Sequence, residues 1–184
     1  MKVYVSSTYK DLKEYREKVR EALLQLGIEG VAMEYYVAES RPPVEECLDD
    51  VARCDIYIGI FAWRYGWIPE ENNPERLSIT NLEYNQAVAT GKSCFIFVMD
   101  PDHPWQFSKA DPDQSAIIKL RNTASERHGG KPFTNPDNLA SQVKSALFKC
   151  AKVRGYFDPS PPPRTFDKGR YFAELARRYQ RLDL

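Results

Sequence analysis

A lone glutamate, a cluster of aromatic rings and a hydroxyl-rich turn are the residues of this chain with the types and spacing to do chemistry. An apolar run ending at Phe61-Ala62 passes directly into Trp63-Arg64-Tyr65-Gly66-Trp67, and Glu83 follows within Ser78-Ile79-Thr80-Asn81-Leu82-Glu83. Trp63, Tyr65 and Trp67 offer faces on which a nucleobase or nicotinamide stacks, and Arg64, with Arg41 upstream, carries the planar paired donors that suit a pyrophosphate. One carboxylate suffices to stabilise or capture a ribosyl oxocarbenium ion, the central demand in breaking an N-glycosidic bond. A neutral leaving base such as nicotinamide needs no general acid. Ser6-Ser7-Thr8 closes the first apolar run just ahead of a helical pattern, a usual meeting place of hydroxyls and backbone N–H groups with phosphate or ribose. Together these define a candidate nucleotide pocket: Glu83 as the catalytic group, and Ser6, Ser7, Thr8, Arg41, Trp63, Arg64, Tyr65, Trp67 and Ser78 as the binding groups.

Each of these residues also has a plainer explanation. Thr80-Asn81-Leu82-Glu83 matches a capping box, in which the glutamate reaches back to its own helix start. The ring loop also fits a lid or an interface patch, and Ser6 to Thr8 fit simple helix capping. Asp55 opens a strand, far from that strand's carboxyl end, and is expected to cap structure there. His103 and His128 fall in polar stretches without paired ligand spacing and read as solvent residues, so no metal site is expected. No Ser-His-Asp hydrolase arrangement stands out, and the Gly-x-x-x-x-Gly-Lys-Ser/Thr phosphate loop is absent.

The elements that must position the pocket are legible in the periodicity. Lys2 to Ser6 reads as a short buried strand. Thr8-Tyr9-Lys10-Asp11 then resembles a helix N-cap, and Leu12, Tyr15, Val19, Leu23 and Leu26 form one apolar face closed by Gly27. A second strand is expected within Gly30 to Val37. Ser40-Arg41-Pro42-Pro43 marks a helix start, with Val44, Cys47, Leu48 and Val51 as its buried stripe and an end near Arg53. Asp55 to Ala62 and Lys92 to Met99 are near-continuous apolar runs, the pattern of strands covered on both faces. Thr80 to Thr90 is helical between them. A loop over Asp100 to Asp113, a helix from Gln114 to about Ser125, an irregular stretch from Arg127 to Thr134 and a last helix from Asn135-Pro136-Asp137 complete the body. Alternating strands and helices predict an α/β three-layer sandwich around a parallel sheet of four to five strands. In such a sheet ligands gather beyond the carboxyl ends of the strands, where the ring loop and Glu83 are expected.

Composition sets the outer limits. With 184 residues, 42% hydrophobic and 28% charged, the chain has enough apolar material for one domain with an appendage. No run approaches a membrane span, and Met1-Lys2 leads into a strand pattern with no secretory signal ahead of it, so the cytoplasm is the expected compartment and no membrane partner is expected. Cys47, Cys54, Cys94 and Cys150 are scattered through apolar segments and read as reduced core thiols. Residues 151–184 hold eight Lys or Arg against four Asp or Glu, leaving 18 against 22 in residues 1–150. An acidic body argues against nucleic acid as its partner. Residues 1–152 are therefore expected to form the α/β domain, 153–168 a proline-rich linker and 169–184 a basic amphipathic helix that needs a partner surface.

The residues also resemble a known family. Val3-Tyr4-Val5-Ser6-Ser7-Thr8-Tyr9-Lys10-Asp11-Leu12, Cys47-Leu48-Asp49-Asp50-Val51 with Cys54-Asp55 and Gly59-Ile60, Trp63-Arg64-Tyr65-Gly66, and Ser78-Ile79-Thr80 with Leu82-Glu83-Tyr84 and Ala87 to Lys92 look like domain of unknown function 4062. That resemblance covers about residues 1–150 and implies a TIR-like, flavodoxin-like fold akin to nucleoside deoxyribosyltransferases. It also implies a place at the N-terminus of NACHT or other STAND signalling ATPases with repeat arrays, in roles of the prokaryotic-defence type, and Tyr179 to Leu184 resemble the lead-in to such an ATPase. Only Glu83 matches the catalytic glutamate of the related enzymes. The second acid of deoxyribosyltransferases is missing, since Ser78, Thr80 and Asn81 stand there, so cleavage of NAD or a similar nucleotide as substrate is favoured over nucleoside transfer. The alternative is a non-catalytic domain for signalling assembly.

Overall fold

Alternating apolar positions in short β-branched runs build the centre of the molecule. The computed structural model describes residues 1–31 and 44–153. The strands are β1 (Lys2–Ser6), β2 (Glu29–Val31), β3 (Ile56–Phe61), β4 (Ser93–Met99) and β5 (Lys131–Phe133). All pair in parallel, in the order β2-β1-β3-β4-β5. The helices are α1 (Lys13–Gln25), α2 (Val44–Arg53), α3 (Ile79–Ala89), α4 (Ser115–His128) and α5 (Pro136–Val153), with a 3₁₀ turn at Phe107–Lys109. By contacts the chain divides into two compact units, Met1–Lys149 and Cys150–Leu184. The expected linker and basic helix, the strand continuation beyond Val31, and Arg41 with its Ser40-Pro43 helix start lie outside the described residues.

Side chains alternate across the sheet, so each strand serves two layers. Tyr4, Tyr57, Phe61 and Ile96 pack with Val51 of α2, Tyr84 and Ala87 of α3, and Ile117, Leu120 and Ala124 of α4. Val3, Val5, Ile56, Ile58 and Ile60 point the other way and are equally buried. Helices α1 and α5 are neighbours, joined by the Lys18–Asp137 ion pair, by Lys144 Nζ donating to Gln25 Oε1, and by the Tyr15 hydroxyl donating to the Thr134 carbonyl just before α5. Gly59 is required by close approach: a Cβ there would come within 2.7 Å of the Phe61 ring and 3.0 Å of Tyr57. The missing side chain makes room for the rings on either side of it.

Three expectations need correction. Helix α1 begins at Lys13 with no side-chain cap, past the expected Thr8 start, and Asp11 lies buried ahead of it at 3% exposure. The stretch expected to be irregular contains β5, whose Lys131-Pro132-Phe133 pairs with Phe97, Val98 and Met99. His128 is not a solvent residue; it ends α4 with its ring edge-on to Tyr84 at 5.8 Å.

Candidate active site around Glu83

Helix α3 carries Glu83 and owes its start to Ser78. The Ser78 side chain accepts from the Asn81 N–H at 3.3 Å, so Ser78 is the cap and Glu83 is free of that duty. The glutamate does not turn back along its own helix. It crosses to β1, where the Tyr4 hydroxyl donates to Oε1 at 2.7 Å and the Ser6 hydroxyl donates to Oε2 at 2.5 Å. Ser6 is the last residue of β1, which puts the carboxylate at the carboxyl end of the sheet. Strand order reverses direction there between β1 and β3, the crevice where open parallel sheets accept ligands.

The surroundings set the protonation of this acid. Glu83 is only 1% exposed, and burial raises its carboxyl above the ordinary range, opposed by the Ser6 and Tyr4 hydroxyls and by the charge of Arg16. Tyr4 and Tyr57 lie stacked, 6.3 Å between centroids, and both phenols are pushed up by burial and by the charge of Glu83. The Cys47 thiol is pushed up to about 12 by burial first and by Glu83 second. The result is a carboxylate held in a dry nest of hydroxyls, a setting in which its charge acts more strongly on a nearby cationic centre than it would in water.

The remaining expected residues divide between this nest and a neighbouring corner. Ser7 is tied to the nest through Arg16, whose Nη1 donates to Ser7 Oγ at 2.6 Å and to the Ser7 carbonyl at 3.3 Å. Thr8 lies beside the next turn: a Cβ on Gly66, whose φ is +96°, would come within 3.0 Å of Thr8 Cγ2. The ring loop is turned toward α4 and residues 106–111. Trp63 stacks on Arg121, with the guanidinium carbon 3.9 Å from the ring centroid, and Arg121 donates to the carbonyls of Ala62 at 2.8 Å and Met99 at 2.5 Å. Burial lowers Arg121 to about 10. Arg64 donates to the Ser108 carbonyl at 2.8 Å; Tyr65 is buried, its hydroxyl donating to Asn81 Oδ1 at 3.1 Å and its N–H to Asp111 Oδ2 at 2.7 Å. Trp67 uses its carbonyl to accept from the Ile79 N–H. The structure thus groups Glu83 with Ser6 and, through Arg16, Ser7, while Trp63, Arg64 and Tyr65 contact Arg121, Ser108, Asp111 and, on α3, Asn81.

Tyr4 and Arg16 are contributors that sequence reasoning missed. Both Asp11 oxygens are buried, and burial raises this carboxyl, opposed by the Thr8 hydroxyl, by its own backbone N–H and by the charge of Arg64. The signal available for Tyr4 was its position two residues before Ser6, on the same face of β1. Asp55 behaves as expected, accepting from the Lys2 N–H at 2.8 Å and so joining the starts of β1 and β3. All four cysteines are free, with Cys47 and Cys54 buried.

A five-stranded parallel sheet in this order, wrapped by helices, is the flavodoxin-like architecture shared by TIR domains. The TIR domains of the activated Roq1 resistosome superpose with a TM-score of 0.54 at 10% identity, covering 80% of this chain and 99% of that one. The CMP N-glycosidase BcmB of Clostridium botulinum gives a TM-score of 0.48 at 14% identity, covering 79% of this chain and 99% of that one. The sequence model of Domain of unknown function (DUF4062) matches residues 2–148, and the chain belongs to that family. A TPR repeat-containing protein of Dictyostelium discoideum is 23% identical over 190 aligned positions, which take in 88% of this chain and 11% of the relative. The chain therefore spans about a tenth of that curated relative's length. No described helix is long and apolar enough to cross a membrane.

Proposed function

We propose that this domain is a TIR-like effector that binds an NAD-like nucleotide and cleaves its N-glycosidic bond, with Glu83 stabilising or capturing the ribosyl centre. The observation that carries this reading is the Glu83 carboxylate itself, buried at the carboxyl end of β1 and oriented by Tyr4 and Ser6 rather than by its own helix. A desolvated, pre-aimed anion is what a developing oxocarbenium ion requires. Its 1% exposure also says what activation must do. The acid has to be uncovered, and clustering of several copies by a fused STAND-type ATPase in the cytoplasm, in a defence role, supplies that step. The TPR repeats in the name of the much longer Dictyostelium relative fit a domain that works within a large signalling chain.

A second reading has its own observation in favour. Both Glu83 oxygens are already satisfied, so the same contacts serve as a bracket between α3 and β1 in a non-catalytic assembly domain, for which Tyr9 and Phe107 offer exposed rings. One assay separates the two. Nicotinamide release from NAD is measured with the chain held in a forced oligomer, for wild type and for Glu83→Gln. Release by the wild type and loss of about 100-fold or more in the variant is the expected result, the size typical of removing a key transition-state electrostatic contact. No release by the clustered wild type selects the assembly reading, and equal release by both removes Glu83 as the catalytic group.

A further inference from the structure

A ligand-sized groove lies apart from the Glu83 nest. On the opposite flank of α3 a groove of about 430 Å³ opens between α3, α4 and the loop after β3. That volume lies toward the lower end of the range of about 300–1,000 Å³ for small-molecule sites, a size suited to one nucleotide unit. Tyr65, Tyr84 and Leu120 give it a buried apolar floor, and Asn81 and Asn85 bring amides to its wall. Arg76 and Lys119 stand at its edge, and among the described residues neither side chain has an ion-pair partner. Glu75 is the one acid in the lining, so the groove keeps a positive excess.

The loop that presents Arg76 is built to hold it in place. The Asn73 amide donates to the carbonyls of Pro69 at 3.0 Å and Leu77 at 2.8 Å, and its oxygen accepts from the Leu77 N–H at 2.9 Å. The Arg76 N–H donates to the Asn73 carbonyl at 3.0 Å, which closes the turn. Within this brace Arg76 adopts φ +52°, a left-handed conformation that glycine takes freely and arginine does not. A turn that keeps an arginine where glycine would fit better is spending conformational strain on a placed cation.

We propose that this groove is a second binding site, separate from Glu83, for a nucleoside monophosphate: the phosphate on Arg76 and Lys119, the base against the Tyr65–Leu120 floor, and the Asn81 and Asn85 amides toward its polar edge. Two cations, an apolar floor and neutral amides in one lining match a ligand that carries both an anionic group and a flat ring.

The test titrates the full chain with AMP, adenosine, ribose 5-phosphate and inorganic phosphate, followed by calorimetry and by NMR shifts of the Asn81 and Asn85 amides. Saturable AMP binding is expected, tighter than that of any fragment, and weakened about tenfold or more in Arg76→Gly and in Lys119→Ala. Arg76→Gly also relieves the positive φ, so its thermal stability should equal or exceed wild type while affinity falls, which a purely structural arginine would not produce. Glu83→Gln should bind AMP as wild type does, whatever becomes of NAD cleavage. Equal affinity for inorganic phosphate and AMP, no binding at millimolar AMP, or binding lost with Glu83→Gln and kept in Arg76→Gly would each overturn the proposal.

Discussion

At Glu83, local chemistry yields to a long-range contact. The capping-box pattern around it is real, but Ser78 takes the cap and the glutamate pairs with hydroxyls 79 and 77 positions away in sequence. No local rule encodes a partner at that distance, which is why the position of the acid was legible in the sequence and its direction was open. The sign of its titration follows from burial. Because the folded chain holds the Glu83 proton more tightly than the unfolded chain, the associated stability is fully present below the usual carboxylate value of 4.5 and is lost as pH rises toward the raised native value. Asp11, raised for the same reason, contributes with the same sign. Glu83→Gln removes the first of these terms. Denaturant titrations between about pH 4 and about pH 8 should therefore show the stability of wild type, relative to Glu83→Gln, declining as pH increases. A difference that is constant or grows with pH would mean that the acid is not desolvated as described.

Among the elements, the core strands and helices follow their hydrophobic patterns, and the departures have identifiable causes. Strand β3 and helix α3 lie within a residue or so of their expected bounds because an apolar run and a helical stretch closed by Gly91 are local signals, although the cap is Ser78 and not the expected Thr80. Strand β5 has only three residues, one of them proline, and exists through its pairing with β4 at the sheet edge. Helix α1 starts only at Lys13, with Lys10 to Leu12 forming a turn ahead of it in which Asp11 is buried. Two substitutions probe the elements that carry the site. Ser78→Ala should cost about 1 kcal/mol by removing the cap of α3. Gly59→Ala should cost about 1–3 kcal/mol, since the added carbon meets the Phe61 and Tyr57 rings with no slack in the core. Chemical denaturation reads both, and a neutral Gly59→Ala would show that those rings repack freely.

For the whole molecule, the fold class was legible and the internal wiring of the site was not. Alternation of strands and helices predicts the parallel sheet, and the structure supplies five parallel strands, with the Glu83 nest and the groove between α3 and α4 both inside the compact unit Met1–Lys149. The compact unit Met1–Lys149 should accordingly unfold in one cooperative transition, with the same denaturant midpoint by circular dichroism and by tryptophan fluorescence. Separated midpoints would mean that the sheet and the ring-bearing corner are not one unit. The expected convergence of the rings with Glu83 rested on their shared nearness to the strand ends. It did not anticipate Arg121, a residue of α4 with no distinguishing local pattern, which draws Trp63 toward itself.

Arg121 has a mechanical consequence. By grasping the terminal carbonyls of β3 and β4 at once beneath an indole plate, it rivets two central strands and the start of the ring loop into a single stiff corner. Such a corner cannot act as a hinge. If Glu83 is uncovered as proposed, the expected place of movement is the other bank, where Ser7 to Leu12 connect β1 to α1.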